Sequence, residues 1–226
     1  MDENHEQEAL NAYLKLLRNK GASIEVLKLR EDFIRDLMPM LLGQSKDGRL
    51  YRDIVENLLD TMDKTQWSFY LPVAREFFPF WTRDIKAIAA LNAESGFDLE
   101  STWQPLDCDL QTLWNVLDKE KFEVGEAWPL KSYTLALRLE GAAQILVDTR
   151  VKLVKLLLVR LRDAPEKNHK IYRIAVDSTM PLFTLKEMRQ LFQIVVREFF
   201  YFWIGDPDAT QYILTKKIRS ELKDSL

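Results

Sequence analysis

Val73-Ala-Arg-Glu-Phe-Phe-Pro-Phe-Trp-Thr-Arg-Asp84 recurs as Val195-Val-Arg-Glu-Phe-Phe-Tyr-Phe-Trp-Ile-Gly-Asp206, with eight of twelve positions identical at a spacing of 122. Chance does not produce that match in 226 residues, so the chain reads as two related halves. The similarity continues upstream. Tyr13, Leu17, Arg18, Gly21, Ala22, Arg30, Leu37 and Leu41 match Tyr133, Leu137, Arg138, Gly141, Ala142, Arg150, Leu157 and Leu161 at a spacing of 120. Tyr51-Arg52 and Val55 match Tyr172-Arg173 and Val176 at 121. Two one-residue slips are what loop insertions produce. The expected organisation is a first helical repeat unit at 8–86, a connector with one short helix at 87–127, a second unit at 128–208, and a C-terminal helix at 209–226.

Within the motif, Ala74, Phe77, Phe78 and Trp81 fall at i, i+3, i+4 and i+7, one apolar stripe of a helix. Val196, Phe199, Phe200 and Trp203 repeat it. Large aromatics at that spacing are core residues, so the two motif helices are expected at the centre of each unit. Arg75-Glu76 and Arg197-Glu198 sit beside these stripes. Neighbouring residues on a helix point about 100° apart, so Arg and Glu do not pair with each other. Their partners lie elsewhere. Either Arg75 meets Glu198 and Arg197 meets Glu76 across an axis between the halves, or each glutamate stays in its own half, Glu76 with Arg52 and Glu198 with Arg173.

Only seven Gly and eight Pro, with no alternation of period two, exclude a turn-rich β fold. The expected fold class is all-α, a tandem duplication of a unit of about four helices packed as a pseudo-twofold helical bundle. The pattern predicts helices over 6–19, 24–42 and 50–62, then a motif helix reaching about Leu91. In the second half it predicts 131–162, as one helix or as two broken at Gly141, then 170–179. A second motif helix opens on a Thr184-Leu-Lys-Glu187 capping box. Trp103, Trp114 and Trp128 lie in or beside the connector, which is therefore expected to pack across both units.

Composition excludes several classes of function. Hydrophobic content of 47% with 30% charged residues is ordinary for a well-packed soluble protein. Net charge is −3, divided as −7 over residues 1–122 (15 Lys/Arg, 22 Asp/Glu) and +4 over 123–226 (17 and 13). Cys108 is the only cysteine, so no internal disulfide forms. The first residues are acidic and polar, unlike a targeting peptide. The most apolar stretch, 142–161, is interrupted by Asp148, Arg150, Lys152, Lys155 and Arg160, which excludes a membrane span there. The expected location is the cytoplasm, with no membrane partner.

With one cysteine and two histidines (His5 and His169), metal sites and histidine-based triads are excluded, and no glycine-rich phosphate loop occurs. No cofactor is implied. Arg150, Lys152, Lys155, Arg160, Lys167 and Lys170 form a basic run that would suit a nucleic-acid surface. Arg162 and His169 are separated by six residues, which resembles the Arg-x(4–6)-His pattern of the HEPN ribonucleases. That resemblance covers eight residues. It implies an Arg and a His acting on an RNA phosphodiester without a metal. Pro165 between them interrupts the helical setting, and the first half has no counterpart. The expected function is a non-enzymatic helical interaction module, an adaptor or regulator with a protein partner. Nucleic-acid binding through the second half and a metal-independent ribonuclease are the alternatives.

Overall fold

The computed structural model describes residues 3–93, 103–105, 107, 109–117 and 119–213. All regular structure among them is helical, and no strand occurs there. The chain divides into two units, Met1–Ser101 and Thr102–Leu226.

The first unit holds α1 (Glu3–Asn19), α2 (Ile24–Leu41), α3 (Gly48–Leu59), α4 (Trp67–Thr82) and α5 (Ile85–Ala93). Gly21 ends α1 in the left-handed conformation (φ +84°), and the Ala22 N–H reaches back to the Leu17 carbonyl at 3.1 Å. Ser23 then caps α2, accepting from the Val26 N–H at 3.3 Å. The motif helix α4 is the centre of the unit and packs on α1, α2, α3 and α5. Its side chains Val73, Phe77 and Trp81 are fully buried. Pro72 and Pro79 both lie inside α4, which starts at Trp67.

The expected helix through Leu91 is two helices. Arg83 takes a left-handed conformation (φ +58°), and the Asp84 N–H bonds the Pro79 carbonyl at 2.9 Å. The Asp84 carboxylate then accepts from the Ala87 N–H at 3.0 Å and opens α5. Gly205 makes the same stop in the second motif (φ +78°), with Asp206 N–H on the Tyr201 carbonyl at 2.9 Å. An arginine at the stop position hid the break in the first copy, because only glycine advertises positive φ in a sequence.

The second unit holds α6 (Leu110–Leu117), α7 (Val124–Leu139), α8 (Gln144–Arg160), α9 (His169–Thr179) and α10 (Lys186–Ile204). Gly141 (φ +75°) divides 131–162 into α7 and α8, as Gly21 divides α1 from α2. α7 starts earlier than expected, because Glu123 and Glu126 close a capping box ahead of Pro129. The box expected at Thr184 does not form; Leu185 precedes α10 without a side-chain cap. Of the expected connector, α5 packs on α4 in the first unit and α6 on α8 in the second, and residues 94–102 lie outside the described residues. After α10 a 3-10 turn spans Ala209–Tyr212, and the rest of the expected C-terminal helix lies outside the described residues.

Trp81 is 0% and Trp203 4% exposed. Replacing either with Ala should cost roughly 3–5 kcal/mol, measured as the loss in chemical denaturation; a cost below about 1 kcal/mol would remove these residues from the centre of their cores. Arg83→Gly should stabilise by up to about 1 kcal/mol in the same assay, since glycine relieves the left-handed strain. The exposed Arg83–Glu8 pair that it removes is worth little.

Candidate functional site

Each motif helix sets a glutamate, half-buried in the first unit and fully buried in the second, against an arginine and a tyrosine from two other helices. In the first unit Tyr13 (α1) donates to the Glu76 carboxylate (α4) at 3.0 Å, and Arg30 (α2) donates to Glu76 and, at 2.6 Å, to the Tyr13 hydroxyl. In the second unit Tyr133 (α7) donates to Glu198 (α10) at 2.7 Å, and Arg150 (α8) pairs with the same carboxylate. These are the positions matched at spacings of 120 and 122. Within its own unit each glutamate therefore meets Arg30 or Arg150, a partner that neither sequence alternative named: not the Arg75–Glu198 and Arg197–Glu76 pairs, and not Arg52 and Arg173. The adjacent Arg75 and Arg197 are exposed.

The aromatic surroundings repeat as well. The Tyr13 ring lies 5.9 Å from Phe77 and 5.4 Å from Phe80; the Tyr133 ring lies 5.7 Å from Phe199 and 5.3 Å from Phe202. Tyr51 and Tyr172 each donate to a motif-helix carbonyl, Ala74 and Val196, at 2.7 Å. Phe78 and Phe200 pack against those tyrosines at 4.8 and 5.1 Å. The tyrosine of the matched Tyr-Arg dipeptide thus makes the same contacts in both units. One difference separates the clusters: the Glu76 side chain is 29% exposed and that of Glu198 is 0%.

The sequence-predicted basic run does not form one solvated surface. Arg150 and Arg160 are buried, Arg150 against Glu198, and Arg160 donates to the Ser178 carbonyl at 3.3 Å. Lys152 lies over the Trp114 ring at 4.7 Å and Lys155 faces Phe122 at 5.8 Å. Lys167 and Lys170 are exposed, with Lys167 5.8 Å from the Trp203 ring. The periodicity hid this, because α8 is apolar on more than one side and its arginines point inward with the leucines.

Arg162 borders an open cleft of about 480 Å³ that is also lined by Glu120, Glu123, Glu126, Lys167 and Trp203. Its guanidinium is held by Glu126 at 2.9 and 3.3 Å, by Glu120, and by the Lys121 carbonyl at 3.2 Å. The hydrogen bonds that it donates to Glu126, ahead of the one to Glu120, push the guanidinium pKa further up. A phosphate would have to displace two carboxylates to reach it. His169 is the exposed first residue of α9, and among the described residues no hydrogen bond joins it to Arg162. Among the described residues no cluster of His, Cys, Asp and Glu could hold a metal ion, and no helix is long and apolar enough to cross a membrane.

What the structure does present is the outer face of α7. Val124, Trp128, Leu135 and Leu139 are 85, 72, 58 and 78% exposed. At 100° per residue they fall within a 60° arc, opposite the buried Leu130, Tyr133 and Leu137. The matched positions of α1 are polar: Glu8, Lys15 and Asn19 stand where Trp128, Leu135 and Leu139 do, and are exposed. The sequence reading counted Trp128 among residues packing the connector; it points to solvent. The available signal was a helix with apolar residues on both faces. No family model matches the chain, and no curated protein or solved structure is significantly similar to it.

Burial raises the pKa of Tyr13, Tyr51, Tyr133 and Tyr172, and the nearby carboxylates Glu76 and Glu198 raise Tyr13 and Tyr133 further against the pull of Arg30 and Arg150. A folded pKa above the unfolded value near 10 leaves stability intact below pH ~10 and removes it as pH rises further. Phenolate absorbance should therefore show these four tyrosines ionising only with unfolding, and Tyr133→Phe should flatten the alkaline fall in stability. Four tyrosines titrating normally in the folded chain would contradict their placement.

Proposed function

We propose that the chain is a non-enzymatic helical interaction module, an adaptor or regulator that binds another protein through the outer face of α7. The observation that carries the reading is the exposed Val124, Trp128, Leu135 and Leu139 stripe, which the matched helix α1 lacks. The fold does not require it, since α1 makes the equivalent packing with a solvated outer face. Contiguous exposed apolar side chains with an aromatic anchor are what binding surfaces use.

We further propose that the two units arose by tandem duplication. The repeated motif supports this, as do the repeated Tyr–Arg–Glu clusters. Under this reading the two copies kept a common core and diverged outside. A cytoplasmic setting fits a chain whose single cysteine can form no internal disulfide.

A photo-cross-linking amino acid at position 135, with position 15 of α1 as control, tests the function in cells that make the protein. Protein adducts at 135 and none at 15 are expected. Adducts at both positions, adducts only to RNA or DNA, or none at 135 would overturn the assignment of this face.

A further inference from the structure

We propose that the α7 face docks an amphipathic helix of a partner protein whose apolar stripe is flanked by carboxylates. This rests on the reading of α7 as the binding face and adds the chemistry of its partner. The apolar stripe runs from Val124 to Leu139, fifteen helical rises or about 22 Å, the length of four turns of a partner helix. Lys131 and Arg138 lie along one flank, 20° and 40° from Val124 around the helix, and both are exposed. Neither makes an ion pair among the described residues. The one carboxylate within α7, Glu126, faces away from the stripe and is held by Arg162. Along its length within α7 the stripe is therefore flanked on one side by cations, with Glu123 and Glu140 lying beyond its two ends.

That charge pattern decides among occupants. A helix with Glu or Asp beside its apolar residues would satisfy Lys131 and Arg138 while covering Trp128, Leu135 and Leu139. A second copy of this chain would not. The stripe is centred between residues 131 and 132, so antiparallel self-pairing sets Lys131 against its own equivalent, and parallel pairing turns both cations toward the other flank of α7, which carries Gly125 and Ser132 and no carboxylate. An anionic membrane surface suits the cations, but two are fewer than the roughly four to eight of a lipid-binding basic cluster, and the apolar arc is narrow.

The test uses the full chain and two synthetic helical peptides of about 18 residues, alike in a leucine stripe and differing in Glu or Lys flanks. The Glu peptide should bind at least about tenfold tighter than the Lys peptide, and more weakly at high salt. Leu135→Glu should weaken it by at least about tenfold, and Lys131→Glu with Arg138→Glu should invert the preference. All three positions are exposed, so circular dichroism should be unchanged in these variants. Equal binding of the two peptides, or a preference that survives charge reversal, would overturn the proposal. So would binding to phosphatidylcholine–phosphatidylserine vesicles without peptide binding, or self-association abolished by Leu135→Glu. If position 135 still yields protein adducts in cells, the binding face stands and only the partner's charge is wrong; with no adducts, both fail.

Discussion

The structure depends on a carboxylate placed where it has no water. Glu198 sits fully buried in the aromatic core of the second unit, and an isolated charge there would be prohibitively costly. Arg150 and Tyr133 answer it from two other helices, and Arg30 and Tyr13 answer Glu76 in the same way. Buried ion pairs of this kind add little net stability, because desolvation offsets the attraction. Their effect is geometric. A guanidinium, a phenol and a carboxylate from three helices meet only when each helix has the right rotation and height. Losing Arg150 or Glu198 leaves the other charge of that pair buried without it, at a cost of roughly 3–5 kcal/mol.

The aromatic stripes are built around these ties. Tyr13 and Tyr133 present a hydroxyl to the glutamate and a ring edge to two phenylalanines, so one residue joins the polar cluster to the apolar core. Tyr51 and Tyr172 do the same on the other side of the motif helix, against a backbone carbonyl and a tryptophan ring. Outside these shared parts the units differ. Glu6 meets Lys46 in the first unit, whereas the matched Glu126 meets Arg162 beside the cleft. α1 is polar on its outer face where α7 is apolar. Function is sought where the copies differ, because what they share is accounted for by packing.

Helix positions were largely legible, because glycine stops and apolar periodicity are local signals. α2 begins at Ile24 as expected, and Gly21 and Gly141 end the helices before α2 and α8. The break at Arg83 was not legible, since a non-glycine residue in the left-handed region leaves no mark. The partners of Glu76 and Glu198 were written in the matched Tyr and Arg positions, but no spacing rule says which of several matched arginines reaches which carboxylate. The direction of Arg150 and Arg160 was misread for a related reason: a charged residue in a helix is expected outside, and only a buried partner reverses that.

By itself the sequence determined that the described residues are helical and that the two halves share a motif; of the aromatics it placed in the cores, Phe77, Trp81, Phe199 and Trp203 are buried and Phe78 and Phe200 only half-buried. Those properties follow from periodicity and from the identity of large apolar side chains, which act over one or two turns. Tertiary structure alone decided which charges are interior, that Arg162 is taken up by Glu120 and Glu126, and that Trp128 stands in solvent. Each of these depends on which faces of neighbouring helices meet. A helix with apolar residues on both sides can bury only the side that another helix covers.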